Sequence, residues 1–226
     1  MNPLIPRATE LRASGFALER GHEGRERIAV LQVATFEKIP FRIFDEASQV
    51  PKGWIPCGSV RFCEGVLGRH LKPDYLPVHL LGSVSRALWI AGDIPDEDCF
   101  VKPLDQYKRF TGCHAKEAVA HGFIGPFFCS STVQIENEWR YYITRGKVVA
   151  AGWYAGKDEN EPPPDLSSRH LGNFWCGAAD FARLHDGRLE LIEAQHPCAC
   201  GWYGDNHKDY VQWLVDGWDY IKRTNL

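Results

Sequence analysis

The stretch Asp180 to Gln195, D-F-A-R-L-H-D-G-R-L-E-L-I-E-A-Q, constrains this chain more than any other. Asp186-Gly187 stands between two alternating runs, the strongest short signal for a tight β-hairpin. With those two residues at the tip, the register follows: Leu184 faces Leu189, Arg183 faces Glu190, Ala182 faces Leu191, Phe181 faces Ile192 and Asp180 faces Glu193. The Arg–Glu and Phe–Ile pairs are chemically sensible. Period two puts Asp180, Glu193 and Gln195 together on the other face. Carboxylates opposed across a strand pair repel and call for a cation between them. Two carboxylates and an amide oxygen suit Mg²⁺, with room for water and phosphate oxygens. The plain alternative is a solvated hairpin carrying surface acids.

At 226 residues the chain can bury a sizeable core, as one large domain or two lobes. A net charge of -3 with no Lys/Arg run argues against a nucleic-acid surface built on bulk charge. No apolar run reaches transmembrane length, and M-N-P-L-I-P-R has no signal-peptide core. Eight cysteines in that setting read as reduced thiols, which implies a cytoplasm. Eight Trp and twelve Phe suffice for a core and an interface, leaving the oligomeric state open.

Along the chain, Ser14 to Glu19 reads as a strand. Arg25 to Phe36 has helical spacing, although I-A-V-L-Q-V fits a strand as well. Ile39 to Asp45 alternates like a strand, so the order suggests a small β-α-β unit. Ser59 is placed to cap a helix over V-R-F-C-E-G-V-L. Leu71 to Pro77 is a Pro-punctuated loop. Leu81 to Trp89 is expected to be helical and to offer Arg86. Cys99 to Lys102 is a short buried strand that Pro103 stops. A lysine held at a strand end is a fixed point charge for phosphate, or else a snorkelling edge residue. L-D-Q-Y-K-R-F-T-G then adds Lys108, Arg109 and a Gly112 hinge, a basic flap or a polar turn.

Arg145-Gly146 marks a second hairpin tip. Its register sets Ile143 against Val148, Tyr142 against Val149 and Arg140 against Ala151, which puts Arg140 on a rigid strand. Arg140 can equally have a local partner such as Glu138. Gly156 to Ser168 is a long polar, Pro-rich loop. Asp209 to Arg223 carries Val211, Leu214, Val215, Trp218 and Ile221 along one helical stripe, which would cover a sheet.

Taken in order, G-S-V-R-F at 58–62, Arg86, F-V-K-P at 100–103, Y-K-R-F-T-G at 107–112, E-W-R at 138–140 and the D…E-A-Q…G-W-Y-G run from 180 to 204 resemble the ATP-grasp superfamily. More narrowly, they resemble a compact clade of it found in bacteria and phages. The resemblance spans about residues 55 to 205. It implies an α+β fold, with a nucleotide held between two antiparallel sheets and a small α/β N-terminal lobe in front. Residues 1–80 would form that lobe and 81–226 the ATP-grasp domain. ATP and Mg²⁺ are the implied cofactors. Lys102 would hold the α- and β-phosphates and Lys108 a further phosphate. Thr132 to Ile135 would be the linker strand that meets adenine, chiefly through Gln134 and Ile135. Glu138, with Glu136 as the alternative, would reach the ribose. Asp180, Glu193 and Gln195 would bind Mg²⁺, and Arg140 and Arg86 would neutralise the transferred phosphoryl group. The family usually has Asn where this chain has Gln195.

The implied activity is an ATP-dependent carboxylate–amine ligase working through an acyl phosphate. Its substrates would be small-molecule or peptide acids and amines, with no nucleic acid and no membrane as partner. Such chemistry needs positioning and charge neutralisation, which Lys, Arg and Mg²⁺ supply, and no nucleophile triad. A nucleotide-binding pseudoenzyme, motivated by Gln195, and a kinase-type phosphotransferase remain on the same fold. From another class comes a zinc-binding interaction module built on His196, Cys198, Cys200 and His207, with Cys176 upstream, although H-x-C-x-C is not a standard zinc spacing. Cys57 and Cys63 read as core thiols.

Overall fold

The computed structural model describes residues 11–71, 82–105, 107, 109–171 and 174–224. Lys108, Leu81 and residues 72–77 of the Pro-punctuated loop lie outside the described residues.

The chain begins with strand β1 (Phe16–Glu19), helix α1 (Arg25–Phe36), strand β2 (Phe41–Phe44), strand β3 (Ile55–Cys57) and helix α2 (Val60–Leu67). β1 is central and runs parallel to both neighbours, in the order β2-β1-β3. The β-α-β reading holds, and I-A-V-L-Q-V is helix. Ala29, Val30, Val33 and Ala34 bury one face of α1 at the spacing a helix requires. Ser59 caps α2 as expected: its Oγ accepts from Phe62 N at 3.2 Å. The Glu19 carboxylate in turn accepts from both the Ser59 backbone N and Oγ, tying the end of β1 to the start of α2.

A second sheet contains β4 (Leu88–Ala91), β5 (Cys99–Pro103), β6 (Cys113–His114) and β7 (Phe127–Ser131), in the antiparallel order β4-β7-β5-β6. Helix α3 (Ala115–Ala120) packs behind it. The helix expected over Leu81 to Trp89 is not formed. Residues 84–87 carry no helix, and Leu88 to Ala91 is instead a strand paired with β7. A short apolar run does not separate the two periods, and pairing with β7 decides it. Cys99, Val101, Phe127 and Cys129 face α3, whereas Phe100, Lys102, Phe128 and Ser130 face the other way.

The third sheet holds β8 (Ile135–Thr144), β9 (Lys147–Gly156), β10 (Cys176–Leu184) and β11 (Leu189–Gln195), in the order β11-β10-β8-β9, all antiparallel. Trp139, Tyr141, Ile143, Phe181 and Leu191 fill one face, under Phe174 and Leu171 of the short helix α4 (Ser168–Leu171). On the opposite face, Tyr142 and Ala178 lie beneath helix α5 (His207–Arg223). The five stripe residues of α5 are all buried. Trp213 Nε1 donates to Ile143 O and Gly177 O, both at 3.1 Å, fixing α5 to β8 and β10. α5 also shares its core with α1 and β1, so the small parallel sheet and the third sheet are packed through one set of apolar side chains.

Both expected hairpins form, each with a corrected register. At Arg145-Gly146 both residues have positive φ, 53° and 69°, the pattern of a two-residue I′ turn. Ile143 faces Val148 as expected, but a shift beyond that pair sets Tyr142 against Ala150 and Arg140 against Gly152. The second hairpin closes with Leu184 N donating to Arg188 O, so its loop is His185-Asp186-Gly187, three residues, with Gly187 at φ 82°. Arg183 therefore faces Leu189, Ala182 faces Glu190 and Phe181 faces Leu191, one residue out from expectation. A bulge then restores Asp180 opposite Glu193.

Candidate active site

Between the second and third sheets lies a cavity of about 520 Å³. From the second sheet come Phe100, Lys102 and Phe128. From the third come Glu138, Asp180, Glu193 and Tyr154. Thr132, Val133 and Ile135, at the passage from β7 into β8, close one side. Apolar and aromatic side chains with a few convergent charges are the usual makeup of a small-molecule site.

The charges are arranged as two crossed pairs. Arg140 and Asp180 are direct neighbours on β8 and β10. Arg140 Nε and Nη2 donate to the two Asp180 oxygens, both at 2.7 Å, in a bidentate pair with Asp180 3 % exposed. The rings of Tyr154 and Tyr203 flank that guanidinium, with centroids 4.8 Å and 5.3 Å from Arg140 Cζ. Tyr203 gets there because Gly152 lets its backbone lie against β9; a Cβ at Gly152 would come within 2.0 Å of Tyr203 O. Across the cavity, Lys102 Nζ donates to Glu193 Oε2 at 2.6 Å. Lys102, read as a strand-end charge, thus reaches over to the acidic hairpin.

Glu138 points into the same space. Burial, then the nearby Asp180 charge, pushes its carboxyl up to about 7, against the pull of Lys102 and Arg140. A carboxyl raised on folding stabilises the fold below its unfolded value, about 4.5, and that contribution is lost as pH rises through about 7. Glu138→Gln, which cannot ionise, is therefore expected to gain on wild type between about pH 5 and pH 8, by on the order of 3 kcal/mol. Urea unfolding at the two pH values checks this, and an equal difference at both would contradict it.

The other expected residues are placed as follows. Arg86 lines the cavity but is turned onto β11, where it pairs with Glu190 at 3.0 Å. Ile135 lines the cavity; Gln134 is exposed and its carbonyl accepts from His185 N. Gln195 sits behind Glu193: its Nε2 donates to Glu193 Oε1 and its Oε1 accepts from Cys200 Sγ, both at 3.0 Å. Glu136 does not line the cavity and pairs instead with Arg183 at 3.3 Å. Arg183 pairs with Glu161 and Glu136 and not with Glu190. Glu161 of the long polar loop is fastened there, also receiving Asn137 Nδ2.

Asp180 and Glu193, opposed on one strand pair, are a hard-oxygen donor set that fits Mg²⁺, and Gln195 adjoins it. Among the described residues no group of three or more His, Cys, Asp or Glu is placed to hold a metal ion, either at these acids or at the residues of the zinc alternative. Cys200 is bonded to Gln195, Cys198 is packed in the core, and His207 meets Gln32. Cys57 and Cys63 are buried, as core thiols should be.

A family profile described as an ATP-grasp domain, the second family of its clade, matches residues 86–213, more than half of the chain. The chain belongs to this ATP-grasp family. No curated protein matches its sequence. Solved structures of the same fold include D-cycloserine synthetase DcsG, at 14% identity and a TM-score of 0.58, covering 89% of this chain and 98% of that one. A RimK domain ATP-grasp protein from Sphaerobacter thermophilus matches at 11% identity and a TM-score of 0.55, covering 89% and 98%. The ATP-grasp ligase PsnB, solved with a phosphomimetic variant of its minimal precursor, Mg and ADP, matches at 12% identity and a TM-score of 0.54, covering 93% and 99%. The ATP-grasp fold is thus established, with the cavity between its two antiparallel sheets. Tyr154, which lines the cavity, and Tyr203, which backs Arg140, were not expected as site residues, and Glu190, expected opposite Arg183, is instead the partner of Arg86. Among the described residues no helix is long and apolar enough to cross a membrane.

Proposed function

We propose that this protein is an ATP-dependent carboxylate–amine ligase that works through an acyl phosphate. The observation that carries this reading is the pairing of Lys102 with Glu193 in the cavity between the two sheets, beside the cavity-lining Asp180 that Arg140 holds from behind. A polyphosphate would take Lys102 and Arg140 from their partners, and Asp180 and Glu193, with Gln195 beside them, would then hold Mg²⁺. Bound there, Mg²⁺ would neutralise phosphate charge. Ile135 and the neighbouring backbone would meet the base, with Phe100 and Phe128 on the opposite wall, and Glu138 would accept from ribose hydroxyls. Lys108 would serve the phosphates from the flap.

A substrate carboxylate oxygen then attacks the γ-phosphorus, and ADP leaves. An amine nitrogen attacks the resulting acyl carbon, the C–O bond to phosphate breaks, and the amine loses a proton as the amide forms. Arg140, already fixed between two tyrosines, offers a preorganised charge to the transferred group. The PsnB structure, with Mg, ADP and a precursor, is in keeping with a peptide acid or amine as substrate. The Cys200 thiol on the Gln195 oxygen supports a second reading, a protein that binds nucleotide without turnover.

The test is ADP release from Mg-ATP over a panel of acids and amines, with product mass measured. ADP that depends on an acid, and an amide that appears with an amine, is the expected result. Phosphorylated acid with no amide would make it a kinase. Tight ATP binding without ADP from any acid would leave the binding protein.

A further inference from the structure

The bulge in β11 decides which way Glu193 points. From the turn, residues pair in unbroken register as far as Phe181 with Leu191. Continued without a bulge, that register would set Asp180 against Ile192. Glu193 would then oppose Ala179, whose face is the apolar core of Trp139 and Phe181. The extra residue, Ile192, returns Glu193 to the Asp180 face and the cavity.

Something has to hold that irregularity, because β11 is an edge strand and the bulge frees its carbonyls from the ladder. Arg86 does so. Its Nη1 donates to Leu191 O and its Nη2 to Ile192 O, the two carbonyls at the bulge. Nη1 also reaches Glu190 Oε1. Glu190, itself 2 % exposed, accepts in addition from Ser85 N, Ser85 Oγ and Arg86 N. Burial pushes the Glu190 carboxyl up, but those donors outweigh it and hold it below the usual range. A planar guanidinium can serve two carbonyls and a carboxylate at once, and an ammonium cannot match that geometry.

We propose that Arg86 and Glu190 form a positioning clamp that sets the β11 bulge and so aims Glu193 into the cavity. Its consequence for metal binding rests on the ligase reading above; its effect on β11 does not. Ser85 belongs to the clamp as the residue that orients Glu190. Arg86 then acts through the strand, without touching the transferred phosphoryl group.

The test uses the full chain with Arg86→Lys, Glu190→Gln and the milder Ser85→Ala. First, amide hydrogen exchange is followed without nucleotide. Exchange over 191–195 is expected to quicken by about tenfold in Arg86→Lys and Glu190→Gln, and by less in Ser85→Ala, while α5 stays unchanged. Second, Mn²⁺ is titrated by electron paramagnetic resonance with ATP present. Metal affinity is expected to fall by about tenfold in both variants, with metal-free ATP bound at least as well as by wild type. Unaltered exchange in β11, or exchange raised equally in α5, would overturn the clamp whether or not ATP binds. So would loss of metal-free ATP binding in Arg86→Lys alone, since that is the mark of direct phosphate contact. A wild type that ignores ATP would end the ligase reading and leave the exchange result to decide the clamp. Should the first two variants fail to fold, Ser85→Ala alone decides through the same exchange window.

Discussion

Glu193→Ala is expected to lose Mg²⁺-dependent ATP binding and ADP formation while binding metal-free ATP at least as well as wild type. The reason is the partner that Lys102 has now. Its ammonium lies 2.6 Å from Glu193 Oε2, so a nucleotide must compete with that carboxylate for the lysine. Mg-ATP can satisfy both sides, because it brings a dication for the carboxylates and a polyphosphate for the cations. Metal-free ATP offers the lysine a new partner and leaves two acids facing four phosphate charges. Removing Glu193 therefore relieves metal-free ATP and removes half of the opposed carboxylate pair. A charge-assisted hydrogen bond contributes about 1.5–3 kcal/mol, so Mg-ATP affinity should fall by roughly 10- to 100-fold and turnover further. Lys102→Ala should differ in kind, weakening ATP with and without Mg²⁺. Calorimetric titration with Mg²⁺ or with chelator, beside an ADP assay, separates the two. Undiminished Mg-ATP binding in Glu193→Ala would leave the hairpin acids as buried structural partners of Lys102 and Arg140 with no part in holding metal.

Much of this arrangement could be read from local pattern, and the acidic hairpin shows both the reach and the limit of such reading. Asp186-Gly187 marks the turn, and alternation marks the two strands. A two-residue turn with an unbroken ladder predicts Asp180 opposite Glu193. The protein arrives at the same pair with a three-residue turn and a bulge, two one-residue offsets of opposite sign. The pairs between the tip and the bulge expose the difference, since Arg183 faces Leu189 and finds its carboxylates elsewhere. Lys102 was legible because a strand end is a local feature, and Ser59 because a cap is. The clamp was not: Ser85 and Glu190 are 105 residues apart, and no spacing rule joins them. Nor was the tyrosine sandwich on Arg140, which depends on Gly152 admitting another segment's backbone. The expected helix over Leu81 to Trp89 failed for a related reason, as its apolar residues are spent on pairing with a strand some forty residues on.

The largest effect on stability is expected at Arg140 and Asp180, and the two halves of that pair should respond differently. Both are almost fully buried. Breaking a buried pair by removing one partner costs about 3–5 kcal/mol, because the charge left behind has no compensation. In Asp180→Ala the survivor is a guanidinium, which cannot shed its charge, so the loss should be close to this figure. In Arg140→Ala the survivor is a carboxyl that burial already pushes upward and that the guanidinium had been pulling down. It can take up a proton. A folded-state value raised above the unfolded one stabilises at low pH and loses that contribution as pH rises, so Arg140→Ala should cost less in acid and more as pH rises. Mg²⁺ should restore part of the loss in Arg140→Ala, where both carboxylates remain, and none in Asp180→Ala, where the donor pair is gone. Thermal unfolding across pH, with and without Mg²⁺, tests each step. Equal pH profiles for the two variants would mean that Asp180 stays ionised without its arginine and that the buried environment assigned to it is wrong. An Mg²⁺ effect of the same size in both would separate the metal from this carboxylate pair.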